Sequence, residues 1–162
     1  MLEIKTERPG LVLRQFRPED SGPLFALIDC NRPHLSQRGD DTAAKYPDYA
    51  SVLRSITHPK NPKKLRFGIW DGGTLVGMVG LTPRGKGACE TGGWTGSEFC
   101  NKGYASTTRT VLARFALIRL GFRRVVAKTH PNNEPSQAML RKAGYRLVRR
   151  TEKAHHFAFV RH

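Results

Sequence analysis

Cysteine is scarce in this chain of 162 residues: Cys30, Cys89 and Cys100 lie far apart, with no C-x-x-C spacing. An odd, scattered set argues against a disulfide framework and against a cysteine-ligated zinc site, so no metal is expected. A reducing compartment, the cytoplasm, is the simple expectation. No apolar run approaches the ~20 residues a membrane helix needs, and the first residues lack the charged-then-apolar order of an export signal. No membrane partner is therefore expected. Repeats, low-complexity tracts and linkers are missing as well. One domain over residues 1–162 follows from the 18.2 kDa mass, with monomer and homodimer both left open. Acidic residues are few, 13 against 28 Lys plus Arg, for a net charge of +15. Such an excess suits a polyanionic partner, RNA, tRNA or the ribosome, or else a merely solvated cationic surface.

What is present alternates strands and helices. Residues 11–17 alternate apolar and polar and predict a strand; Pro18-Glu19-Asp20-Ser21 then opens a helix whose inward stripe is Leu24, Phe25, Leu27 and Ile28. A polar loop over residues 31–41 contains Arg32, His34 and Arg38, and a second helix is expected over residues 48–56. The two prolines of residues 58–64 make a short basic loop. Strands over 65–70 and 74–81 flank Asp71-Gly72-Gly73, a hairpin signal, and the turn at residues 83–87 leads to a third antiparallel strand. A helix is predicted over 105–120, with Val111, Leu112, Phe115, Ala116 and Leu120 inward and Arg109, Arg114 and Arg119 largely off that stripe. Gly121 caps it. A strand over 123–128 comes next, parallel to its predecessor if the crossover is right-handed. A last helix opens at Asn133 or Glu134, and strands over 145–150 and 156–160 close the chain.

The stretch Glu90-Thr-Gly-Gly-Trp-Thr-Gly-Ser-Glu-Phe-Cys-Asn-Lys-Gly-Tyr-Ala105 reads as a strand running through a tight turn into a helix. The first amides of such a helix lack intrahelical partners, and the helix dipole favours an anion in front of them. Lys102 adds charge there and Gly103 permits close backbone approach. The segment thus predicts a phosphate-binding helix N-terminus. Glu90, Gly92, Trp94, Glu98, Phe99 and Lys102-Gly103-Tyr104-Ala105 resemble the Glu-x-Gly-x-Trp-x-x-x-Glu-[Tyr/Phe]-x-x-Lys-Gly-Tyr-Ala pattern of GNAT N-acyltransferases, in particular the Rim-type branch that acetylates the N-termini of ribosomal proteins. Asn133-Glu134-Pro135-Ser136 with Lys142-Ala143-Gly144-Tyr145, and Leu13-Arg14 with Asn31-Arg32-Pro33-His34-Leu35, are similar to further segments of that branch. Two positions depart from it: Cys100 and Asn101 stand where the family usually has Gln or Arg and then Gly.

The resemblance implies an α/β (α+β) GNAT fold: a mixed, mostly antiparallel sheet, a splayed parallel strand pair and about four flanking helices. It implies acetyl-CoA as co-substrate and a primary amine, on a protein N-terminus or a small molecule, as acceptor. Donor contacts carried over are Thr95, Gly96, Ser97, Cys100, Asn101, Lys102, Gly103, Tyr104, Ala105, Asn133 and Ser136, and acceptor contacts are Asn31, Arg32 and His34. The thioester carbonyl is expected on a backbone N–H near residues 95–97. Ser136 resembles the hydroxyl that contacts CoA or protonates the leaving thiolate, or else is a first-turn serine bonding its own backbone. Glu98 and Glu90 are candidate bases, eight residues apart and on one side if the strand has no bulge; His34 is a third. No Ser/His/Asp or Cys/His order suggests an acyl-enzyme, so direct attack in a ternary complex is expected. Two other readings stay open: a GNAT-fold transferase taking its acyl group from aminoacyl-tRNA, and an RNA- or ribosome-binding module with a vestigial site.

Overall fold

The computed structural model describes residues 1–37 and 40–161; Arg38 of the expected polar loop lies outside the described residues. Its strands are β1 (Glu3–Lys5), β2 (Leu11–Gln15), β3 (Leu65–Asp71), β4 (Thr74–Gly85), β5 (Ala88–Thr95), β6 (Arg124–Thr129), β7 (Arg146–Arg150) and β8 (His155–Val160). Its helices are α1 (Ser21–Asp29), α2 (Arg32–Leu35), α3 (Thr42–Lys45), α4 (Tyr49–Thr57), α5 (Tyr104–Ile118) and α6 (Glu134–Lys142), with short 3-10 turns at Pro18–Asp20 and Ser97–Phe99. The strands form a single sheet in the order β1-β2-β3-β4-β5-β6-β8-β7, antiparallel except for β5 and β6.

The parallel pair sets up the site. β5 and β6 are in register only at Ala88↔Arg124, Cys89↔Val125 and Glu90↔Val126. Beyond that point β5 stays with β4 as far as Thr95, while β6 stays with β8 as far as Thr129. The two strands therefore splay, as the resemblance implied. Glycine holds β4 and β5 close beside the gap. A Cβ on Gly93 would land on the Met78 carbonyl oxygen, and one on Gly77 would land on the Trp94 carbonyl oxygen. The poor β-former content of β5 follows from this contact.

The sheet is covered on both faces. On one, Leu112, Ala116 and Leu140 of α5 and α6 pack with Phe67, Leu81, Val125 and Phe157. On the other, Leu24, Ile28 and Val52 of α1 and α4 pack with Phe16, Trp70 and Leu75. Full burial of each such leucine contributes about 2 kcal/mol. The inward stripe of α5 is displaced one residue from the expected one. Thr108, Arg109, Leu112, Ala113, Ala116 and Leu117 are buried, and Leu120, beyond the helix end, is 39% exposed. Arg109, expected off the stripe, lies one turn before Leu112 and Ala113 on the same face. Short elements account for the other differences. β1 has three residues, and the polar loop contains the single turn α2.

Candidate active site

Two left-handed residues shape the turn before α5. Asn101 has φ +61° and Gly103, the N-cap of α5, has φ +84°. Asn tolerates this region better than most residues, so the departure from the family pattern at Asn101 keeps the turn. No side chain caps the helix, and the first amide to bond back is Thr107 N–H, to Gly103 C=O at 3.1 Å. Among the described residues the N–H groups of Tyr104, Ala105 and Ser106 have no internal acceptor. The turn is held from behind. Arg8 Nη1 donates to the Lys102 carbonyl at 2.9 Å, and its guanidinium lies 4.3 Å from the Tyr104 ring centroid. The Tyr104 hydroxyl donates to Asp71 at 2.6 Å. Tyr104 thus offers the site its amide, its hydroxyl being engaged, and the exposed Lys102 side chain stands outside the groove.

Bond alternation fixes where the edge of β5 points. Gly96 N–H donates to Val76 C=O at 2.9 Å, so Gly77 and Thr95 form a non-hydrogen-bonded pair. Continuing that alternation, residues 90, 92 and 94 bond to β4, and the backbone groups of Gly93 and Thr95 face the gap. Two side chains already reach those carbonyls: Arg109 Nη2 donates to Gly93 C=O at 3.2 Å, and His34 Nε2 meets Thr95 C=O at 3.1 Å. A carbonyl only accepts, so His34 carries its proton on Nε2. Of the amides expected near residues 95–97, Gly96 is bonded to Val76 and Ser97 to Asn31 Oδ1 at 2.8 Å, leaving Thr95, with Gly93, directed at the gap. Two groove-lining threonines, Thr91 on β5 and Thr129 on β6, have buried hydroxyls with no hydrogen-bond partner among the described residues. Orphaned polar atoms beside an unpaired strand edge suit an amide-bearing ligand laid in as an extra strand.

Asn133 Oδ1 accepts from Ser136 N–H at 3.2 Å, which makes Asn133 the N-cap of α6 and places Ser136 in its first turn. Ser136 lines the groove. The expected acceptor residues divide. Asn31 is 4% exposed and tied to Leu27 C=O and Ser97 N–H, while Arg32 bonds Asp29 and the carbonyls of Ala43, Tyr46 and Pro47. Both brace the wall, and His34 alone of the three lines the groove. Cys100 Sγ lies 3.5 Å from Gly96 C=O and 3.8 Å from His34 Nε2. Sixty-six positions separate that cysteine and histidine, so no local spacing signals the pair.

The two glutamates do not share a face. β5 ends at Thr95 and the 3-10 turn Ser97–Phe99 follows, so strand parity does not carry through to residue 98. Glu98 is exposed and stands outside the groove. Glu90 lines it, bonded to Arg84 at 2.7 Å and paired with Lys128 at 3.3 Å. Burial alone would raise the Glu90 carboxyl; the Arg84 hydrogen bond and both positive charges outweigh it and hold the group below the usual glutamate range. Arg109, which sequence reasoning missed, is 7% exposed, has no carboxylate partner among the described residues, and has its affinity for a proton lowered by burial. A buried positive charge beside the gap favours negative charge developing there.

These features line one groove of about 1210 Å³ that runs from the start of α5, past the open edge of β5, to the face beneath α3. Among the described residues no helix is long and apolar enough to cross a membrane. Comparison with known proteins agrees with the geometry. The chain is similar to RimL, a ribosomal L7/L12 α-N-protein acetyltransferase solved with coenzyme A, at 17% identity, TM-score 0.85 and 98% coverage of each chain. It is similar to RimJ of Mycobacterium smegmatis, solved with a CoA disulfide, at 19% identity and TM-score 0.78 over 98% of this chain and 87% of that one. A Salmonella typhimurium acetyl transferase that modifies the N-terminal serine of L7/L12 superposes with TM-score 0.82 at 18% identity, over 99% of this chain and all of the other. No curated protein matches the chain in sequence. The model of the acetyltransferase (GNAT) domain matches residues 10–146, and the chain belongs to that family.

Proposed function

We propose that this chain transfers an acetyl group from acetyl-CoA to the α-amino group of a protein N-terminus, by direct attack in a ternary complex, with residues 1–162 acting as one catalytic domain. The observation that carries the reading is the conjunction of free α5 amides with an open β5 edge. The amides of Tyr104, Ala105 and Ser106 would hold the diphosphate, with Asn101 and Gly103 shaping the turn. Thr95 and Asn133 would hold the pantetheine amides. The edge from Thr91 to Thr95 spans about 13 Å, room for an extended arm.

When bound, acetyl-CoA supplies an electrophilic thioester carbonyl. The gap-facing amide of Gly93, with the Arg109 charge beside it, stabilises negative charge on its oxygen. Glu90, already ionised, takes the proton of the acceptor amine through water. Ser136 Oγ donates to the departing thiolate. Glu98, exposed and not lining the groove, is not assigned the base role, and His34, bonded to Thr95 C=O, orients the strand edge. RimL and the Salmonella typhimurium enzyme act on the N-terminus of ribosomal protein L7/L12, which supports the choice of acceptor.

The test is thiol release with acetyl-CoA and N-terminal peptides. Ser136→Ala should lower kcat about tenfold or more while leaving acetyl-CoA affinity within about twofold. Unchanged kcat would leave Ser136 a first-turn serine.

A further inference from the structure

The acceptor end of the groove is built for negative charge. Arg66↔Gly80 and Gly80↔Gly92 are direct register pairs, so two glycines floor this part of the groove beside Arg66. A Cβ on Gly92 would meet nothing within 4 Å, and Lys64 lays its aliphatic stem 3.5 Å from the Cβ position of Gly80. Around that floor stand Lys45, Lys64, Arg66, Arg84 and Lys128.

Their counter-charges fall short. Arg84 and Lys128 share the single carboxylate of Glu90, and Lys45 pairs with Asp41. Asp40, the other carboxylate on this side, accepts the Thr42 N–H. Among the described residues Arg66 bonds only neutral groups, Ser55 and Met78 Sδ, and its buried Nε has no acceptor. Lys64 has no ion-pair partner among the described residues. Desolvation, then the charges of Arg66, Lys45 and Arg84, hold its ammonium below the usual lysine range, with only Asp41 opposing.

We propose that Lys64 and Arg66 form an anion subsite for the acceptor, so that the preferred substrate is an N-terminal peptide with an acidic side chain near its amine. Two strand spacings separate Arg66 from Gly92, about 10 Å, or roughly three residues of extended peptide. The acid therefore belongs at the third or fourth residue. This rests on the acetyltransferase reading above and names its substrate class. It also assigns part of the +15 charge to the groove itself rather than to RNA.

The test compares three hexapeptides, identical except for Asp, Asn or Lys at positions three and four, with calorimetry of acetyl-CoA alongside. The Asp peptide should have kcat/KM at least tenfold above the Asn peptide, and the Lys peptide should be poorest. Lys64→Glu should abolish or invert that order, and Lys64→Met should flatten it, both with unchanged acetyl-CoA affinity and thermal midpoint. Equal use of the three peptides, or an order that survives Lys64→Glu, overturns the proposal. So does acetyl-CoA binding with transfer only to small anionic amines. Absence of acetyl-CoA binding overturns the enzymatic reading itself, a separate failure.

Discussion

In the proposed mechanism Glu90 is the base. Two cations hold its carboxylate, so it is ionised throughout the neutral range and cannot generate a pH limb there. The acceptor amine has to lose its own proton, and an α-amine does so near pH 8. kcat/KM should therefore rise with pH through about 8 in the wild type. Glu90→Gln should lower kcat about a hundredfold, the scale of a positioned base, and keep that limb. A limb near pH 6 that vanishes in Glu90→Gln would show that the carboxylate titrates near neutrality, against this account. Glu90 was legible as a candidate because it stands in a strand leading to a phosphate turn. Arg109 was not. A single residue of phase in the α5 stripe separates exposed from buried there, and apolar periodicity places no guanidinium on an inward face.

At the scale of elements, the joint between β2 and α1 is an ion pair. Asp20, 7% exposed, receives Arg14 through two bonds at 2.8 and 3.1 Å and the Arg17 N–H at 2.7 Å. Burial would raise its carboxyl, but those bonds outweigh it and lower the proton affinity in the folded state. With the folded value below the unfolded one, the stabilisation is full above about pH 4 and is lost as pH falls through the folded value. Asp20→Asn should cost about 3 kcal/mol at pH 7 by leaving Arg14 unpaired, and this deficit should shrink in urea melts below about pH 4. A deficit independent of pH would place the loss in packing instead. The long elements, α1, α4, α5, α6 and the β3–β4 hairpin, were readable from periodicity and Gly72-Gly73, whose φ values of +55° and +86° suit that turn. α2, α3 and β1 are too short for a period to show, and the 3-10 turn that parts Glu98 from Glu90 left no mark in composition.

For the molecule as a whole, the proposed function rests on what the sheet leaves unpaired. Seven strand pairings close seven interfaces, and in the β5–β6 interface only three residues of each strand are in register before the strands part. The fold and the turn before α5 were legible because they depend on local glycines and on order along the chain. The division of Asn31, Arg32 and His34 into two bracing residues and one that lines the groove was not, since it depends on contacts such as Asn31 with Ser97 across the sheet. Amide hydrogen exchange, followed by NMR with and without acetyl-CoA, addresses the central claim most directly. Gly93, Thr95, Tyr104, Ala105 and Ser106 should exchange rapidly in the free protein and become protected on binding. Gly103→Asp should prevent that protection, because a carboxylate about 5 Å from a phosphate costs about 3 kcal/mol near a protein surface. Amides already protected in the free chain, or left unprotected at saturating acetyl-CoA, would contradict the account.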